Sequence, residues 1–350
     1  MTKFTFLPLS LLVISNSVFS AINVTDNFSL RGFGSTSITQ SNNAVPIFVH
    51  REITDDTCYD CDTTFGIQAD LQITDNINAS VQVVKRPQDT WSDPELEWAY
   101  INGEYKDISL KGGRLRIPLF LMSEYYYVGQ AYPWARPPQE VYDSILGFTY
   151  FDGISAAWHT ELNDENIFTL SPYYGFSHDY KAKLGNEKLL FDTDHFAGLS
   201  AELSGFNYRV HFGYLHSQYT MLPASSPIKE TLNIYTLGAE YSLNNWQFIT
   251  EAQIDKLQSS WYFSSAYNFG EFTPYAVYGE SHHRRKTQSV TAGLRYDITH
   301  TISLNAEWQG IYMQRSDYDQ FNTGQFITSP KLTDESKDAQ IYTLMINFVF

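Results

Sequence analysis

Cysteine is almost absent from this 350-residue chain, and the two present lie in Cys58-Tyr59-Asp60-Cys61, within a polar stretch. Two are too few for a zinc site, no histidine follows Cys61 as haem attachment requires, and no βαβ pattern surrounds them as a thioredoxin-type centre requires. In an exported chain they are expected to form a local disulfide, closing so short a loop that it steadies a loop tip more than the fold. Basic residues are also scarce, 23 Lys and Arg against 39 Asp and Glu, for a net charge of −16. That balance excludes a nucleic-acid partner, which needs clustered cations. Long apolar runs are missing too: the mean hydropathy is −0.30, and past the first twenty residues nothing approaches the roughly 18 apolar residues of a membrane helix. A helical membrane protein is excluded, and neither a metal site nor a cofactor is expected.

The first residues read as an address. Lys3 gives a short basic start, Phe4 to Ile14 is apolar except for Thr5, Pro8 and Ser10, and Val18-Phe19-Ser20 suits a cleavage site. A secretory leader over residues 1–20 is expected, cut after Ser20 or Ala21, leaving one domain over 21–350.

What fills the mature chain is alternation with period two, in segments of about ten residues. Phe65, Ile67, Ala69, Leu71 and Ile73 alternate with Gly66, Gln68, Asp70 and Gln72, and Val290, Ala292, Leu294, Tyr296 and Ile298 alternate with Thr291, Gly293, Arg295 and Asp297. The last segment sets Tyr342, Leu344, Ile346, Phe348 and Phe350 against Thr343 and Asn347. Short polar joints such as Asp75-Asn76, Lys106-Asp107 and Asn244-Asn245 alternate with longer connections, among them 40–62, 121–142, 178–194 and 315–338. Tight turns at one end and long loops at the other are the layout of an outer-membrane barrel. The expected fold is therefore all-β: a transmembrane antiparallel β-barrel of about 16 strands. A two-layer sandwich would carry the same alternation with its polar face in water. Against it stand the aromatics near segment ends (16% of the chain is aromatic), the lack of any linker, and a length beyond an ordinary domain.

The stretch 96–142 carries the most specific motifs. Leu115, Ile117 and Leu119 share one face, which turns Arg114 and Arg116 the other way, into the lumen of a barrel. Arg-Leu-Arg-Ile-Pro at 114–118 and Tyr-Pro-Trp-Ala-Arg-Pro-Pro at 132–138 resemble the porins of Gram-negative outer membranes, and the terminal Phe350 resembles the C-terminal signature of such barrels. The resemblance implies a third loop, 121–142, folded into the barrel to narrow it. It implies Glu124, Glu140 and Asp143 on the loop side, facing Arg31, Arg86, Arg114 and Arg116 on the wall, with Arg136 on the loop itself. The Pro-Glu-Phe-Gly-Gly of the best-known general porins is absent. The same resemblance implies a homotrimer among outer-membrane lipids and lipopolysaccharide, passing small hydrophilic solutes.

Two other functions share such a fold. A substrate-specific channel for an anion or a sugar would line its path with arginines or aromatics. A barrel enzyme would need a Ser, His and carboxylate cluster at one edge, and no Gly-x-Ser-x-Gly motif occurs. The expected reading is a passive pore and not an enzyme. Acidic loop residues, Asp62 and Asp317 among them, are expected at its mouth, and His282-His283-Arg284-Arg285-Lys286 as an exposed basic loop.

Overall fold

The computed structural model describes residues 21–87, 93–143, 149–184, 187–222 and 228–350; the expected leader at 1–20 lies outside them. The chain forms β1 (Ile22–Thr25), β2 (Phe28–Ser41), β3 (Thr64–Thr74), β4 (Ile77–Lys85), β5 (Glu95–Tyr105), β6 (Ile108–Arg116), β7 (Tyr150–Asn163), β8 (Asn166–Gly175) and β9 (His178–Leu184). It continues with β10 (Glu187–Ser204), β11 (Tyr208–Leu222), β12 (Ile228–Leu243), β13 (Trp246–Ile254), β14 (Gln258–Tyr267), β15 (Phe272–His283), β16 (Thr287–Thr299), β17 (Ile302–Tyr312) and β18 (Ala339–Val349). Every pairing is antiparallel and runs between chain neighbours, except for β8 with β10 and for β18 with β2, which closes the sheet. Both β8 and β9 pair with β10 and fill one wall position. The short β1 pairs with the start of β2, on the side that β18 takes further along. Eighteen segments less these two leave a closed barrel of sixteen positions. Closure matters because hydrocarbon offers no partner to an unpaired sheet edge.

Side chains sort as a membrane barrel requires. Along the strands of the barrel wall one parity is largely apolar and faces outward: Ile101 is 57% exposed, Leu110 58%, Ile154 57%, Leu237 56% and Leu344 51%. The other parity carries Ser37, Gln82, Asn102, Thr236, Glu251, Ser303, Glu307 and Asn347, all buried. A sandwich would bury the apolar stripes and expose the polar ones, so the two architectures are told apart here. Near the short turns, Tyr105, Trp158, Phe206, Trp246, Phe269 and Phe272 are all exposed, a girdle of rings with apolar bodies. Trp98 is not in it: its indole N–H donates to Ser80 Oγ on the inner face.

Two expectations need correction. The long loop expected over 178–194 is largely strand, since His178–Leu184 pairs with Glu187–Thr193 as an extension of the wall. Beyond the lipid a hairpin needs no apolar face, so its polar sequence read as loop. The inner stripe is not uniformly polar either. Phe151, Tyr173, Phe196, Leu215, Ile234, Ile249 and Tyr262 face inward and form one buried cluster.

Candidate pore constriction

Residues 117–143, most of the connection from β6 to β7, account for that cluster. Ile117, Leu119, Leu121, Met122, Tyr132, Trp134, Val141 and Tyr142 complete it from the loop side, while Val128 joins Phe33, Val84 and Val349 elsewhere on the wall. Only short helical pieces shape the segment, single turns at Ser123–Tyr125 and Gly129–Ala131 and α1 (Gln139–Tyr142). Pro133, Pro137 and Pro138 limit its backbone freedom. Its polar groups therefore bond to the wall. Leu121 N–H donates to Glu251 Oε2 at 2.8 Å, and the hydroxyls of Tyr142 and Tyr262 (2.7 Å for the latter) donate to Oε1. Thr236 donates to Leu119 O, Trp134 Nε1 to Ser264 at 2.8 Å, and Ala135 N–H to Glu307 at 3.1 Å. Asn305 donates to Pro133 O at 2.7 Å, and Ser303 to Gln130 at 2.6 Å. Arg295 Nη1 reaches Tyr132 O at 2.8 Å.

Two glycines permit this seating. A Cβ at Gly213 on β11 would meet Leu119 O at 2.3 Å, and one at Gly129 would meet the Asn347 side chain at 2.1 Å. No other residue allows backbone and wall to approach so closely.

The arginines and acids named from sequence fall into separate groups. Arg136 donates to Asp62 Oδ1 at 3.1 Å and to Thr343, and Arg51 reaches the same oxygen at 2.7 Å. Asp62 is thus buried and doubly paired and not exposed at the mouth, because its neighbours fold inward; Asp317 is buried as well. Burial pushes the Asp62 carboxyl up, but Arg136 and Arg51 beside it overcome that and hold it below the usual carboxylate value. Arg86 and Arg116 converge on Glu97, which is fully buried, and both guanidinium groups lie against the Tyr127 ring. Arg31 lies 3.7 Å from Asp70. Glu140 bonds Ser289, Asp143 accepts from Val49 N–H at 3.2 Å, and Glu124 is exposed.

The loop acids and wall arginines are thus not brought face to face. Wall arginines pair instead with wall acids, Arg86 and Arg116 with Glu97 and Arg31 with Asp70. Along 114–119 the expected alternation is not kept: Leu115, Ile117 and Leu119 are buried under the loop, and so is the Arg116 side chain on Glu97. Arg114 shares the parity of exposed Ile108 and Leu110 and grips Asp152 through Nε and Nη2 at 2.8 and 2.9 Å. Sequence reasoning did not single out Arg51 or Glu97. Their signal, an isolated charge beside a strand end, is common to many solvated residues. Cys58 and Cys61 are bonded. Within the basic stretch, His282, His283, Arg284 and Lys286 are exposed, with Lys286 donating to Asp317 at 3.1 Å, while Arg285 is half-buried and donates to Gly324 O at 2.7 Å.

A closed barrel of sixteen positions, apolar without and polar within, is the architecture of the outer-membrane porins. No family model and no characterised sequence matches the chain. Among solved structures, Salmonella typhi OmpF in complex with daunomycin superposes with a TM-score of 0.63 at 11% identity, over 94% of this chain and 100% of that one. The anion-selective porin of Comamonas acidovorans gives 0.63 at 11% identity, over 92% and 99%. A mutant Rh. blastica porin gives 0.56 at 13% identity, over 92% and 100%. At such identity the likeness is one of fold.

Proposed function

We propose that this protein is an outer-membrane channel for passive diffusion of small hydrophilic solutes and ions, narrowed by residues 117–143. The observation that carries this is the pairing of a closed barrel of sixteen positions with a charged and hydroxylated inner stripe. Sixteen strands make a cylinder too wide for wall side chains to fill, so an aqueous lumen follows. Ion pairs such as Arg31–Asp70 and Arg209–Glu240, both partly exposed on the inner face, are costly when dry and cheap beside water. Because the loop is bonded to both sides of the bore, the conductance is expected to be small, with a low size cutoff. Liposome swelling with a graded series of uncharged sugars tests this: swelling that falls with solute size supports the reading, and none with any solute overturns it. Phospholipid hydrolysis in the same vesicles, without solute flux, would favour a barrel enzyme. A homotrimer in lipid and lipopolysaccharide is part of the proposal; one solved neighbour is described as a trimer form, and cross-linking of the purified protein checks it.

A further inference from the structure

Under the loop, on the side of the short turns, lies a cavity of about 210 Å³ roofed by Gln130, Tyr132 and Pro133 and walled by the ends of β13–β16. At about 30 Å³ per water it holds roughly seven, the space of one monosaccharide. We propose that it is a binding subsite for neutral, hydroxyl-rich solutes of that size. The inference rests on the channel reading above.

The charges at the cavity are two, and they cancel. Arg295 Nε donates to Asp297 Oδ1 at 2.8 Å, and its Nη1 is shared among Tyr132 O at 2.8 Å, Gln130 O at 3.3 Å and Gly129 O at 3.4 Å. The guanidinium is thereby a bracket for the loop, not a free anion receptor. The other polar groups lining the cavity are uncharged: the carboxamides of Gln130, Asn245, Gln247 and Asn268 and the hydroxyl of Thr273. A carboxamide presents donors and acceptors together, as does a hydroxyl, so each can meet a sugar hydroxyl in either sense. Gln247 uses one amide hydrogen on Glu240 and Gln130 one lone pair on Ser303; each keeps both capacities beyond those bonds. Pro133 and Ala266 add a small apolar surface for the C–H face of a ring. An anion would meet only the Nη2 of Arg295, on a guanidinium already paired with the Asp297 carboxylate. A cation would meet only the remaining oxygen of Asp297.

The test uses the full barrel in planar bilayers with D-glucose added from the short-turn side, and gluconate and lysine as charged comparators. A saturable fall in ion current with glucose, stronger than with either comparator, is expected. Thr273→Val and Gln247→Leu each remove one hydrogen-bonding group and should raise the half-blocking concentration about fivefold; Ala266→Leu, which fills the space, should abolish saturation. A fall no larger than bulk viscosity explains, a stronger block by gluconate or lysine, or variants identical to the parent would overturn the subsite while leaving the channel intact. Absence of any current from a folded barrel would instead count against the channel. Calorimetric titration of the same barrel with D-glucose then decides the subsite, with heat of binding supporting it and none overturning it.

Discussion

Replacing Glu251 by leucine probes the loop's attachment most sharply. Three buried donors converge on this carboxylate, Leu121 N–H and Tyr142 Oη from the loop and Tyr262 Oη from the wall. Leucine is close in size to Glu, so the barrel's backbone ladder between β12, β13 and β14 stays intact and the effect is confined to polar satisfaction. Each stranded buried donor costs about 1–3 kcal/mol. Two of the three belong to the loop, so its attachment to β13 weakens by about 2–6 kcal/mol, roughly 30- to 20,000-fold in the balance between seated and detached states. Arg136 on Asp62, Glu307 on Ala135 and Arg295 on the carbonyls still hold residues 129–136, and Thr236 on Leu119 O and Arg209 on Tyr125 remain, so the loosened part is the backbone at 120–124. The assay is single-channel recording of Glu251→Leu beside its parent. A larger conductance and more low-frequency noise are expected, with Glu251→Gln, which keeps one acceptor oxygen for the tyrosines, in between. Parental conductance and noise in a folded Glu251→Leu barrel would refute the reasoning, because the loop would then be held by something other than these bonds.

Arg136→Leu leaves Asp62 buried with Arg51 alone and should cost about 3 kcal/mol in chemical denaturation. Asp62 titrates lower folded than unfolded, so its contribution is present above the unfolded value of about 4 and is lost as pH falls through the folded value. Stability of the parent should therefore drop below pH 4 more steeply than that of Asp62→Asn. Leu110→Arg on the lipid face should cost about 2–4 kcal/mol if it lies near the bilayer midplane, measured by unfolding from vesicles; no cost would reverse the assignment of faces. Reducing Cys58–Cys61 opens a closed loop of only four residues, so the loss should be no more than about 2 kcal/mol, with the barrel still folded by circular dichroism.

The barrel was legible because lipid enforces a rule on every second residue. In β3 the apolar set Phe65, Ile67, Leu71 and Ile73 is all exposed in the structure, as the alternation alone predicts. Where lipid stops, the rule stops. Residues 178–184 lie past the belt, and nothing in their pattern separates a hydrated hairpin from a loop. Inside the bore, Leu215 and Ile249 are apolar because the loop packs on them, yet their strands also carry Val210, Phe212 and Ile254 outward, so parity alone does not name the face. Ion pairs were harder still. Arg136 and Asp62 are 74 positions apart and Arg116 and Glu97 nineteen; residue type announced the charges, while only closure of the cylinder decided the partners.

The central claim is a water-filled path inside a cylinder whose apolar stripe meets lipid. Recording current from the purified full-length barrel in a planar bilayer tests it most directly. Discrete conductance steps that scale with salt concentration are predicted. Inserted, folded barrels that pass no current at any salt concentration would contradict it.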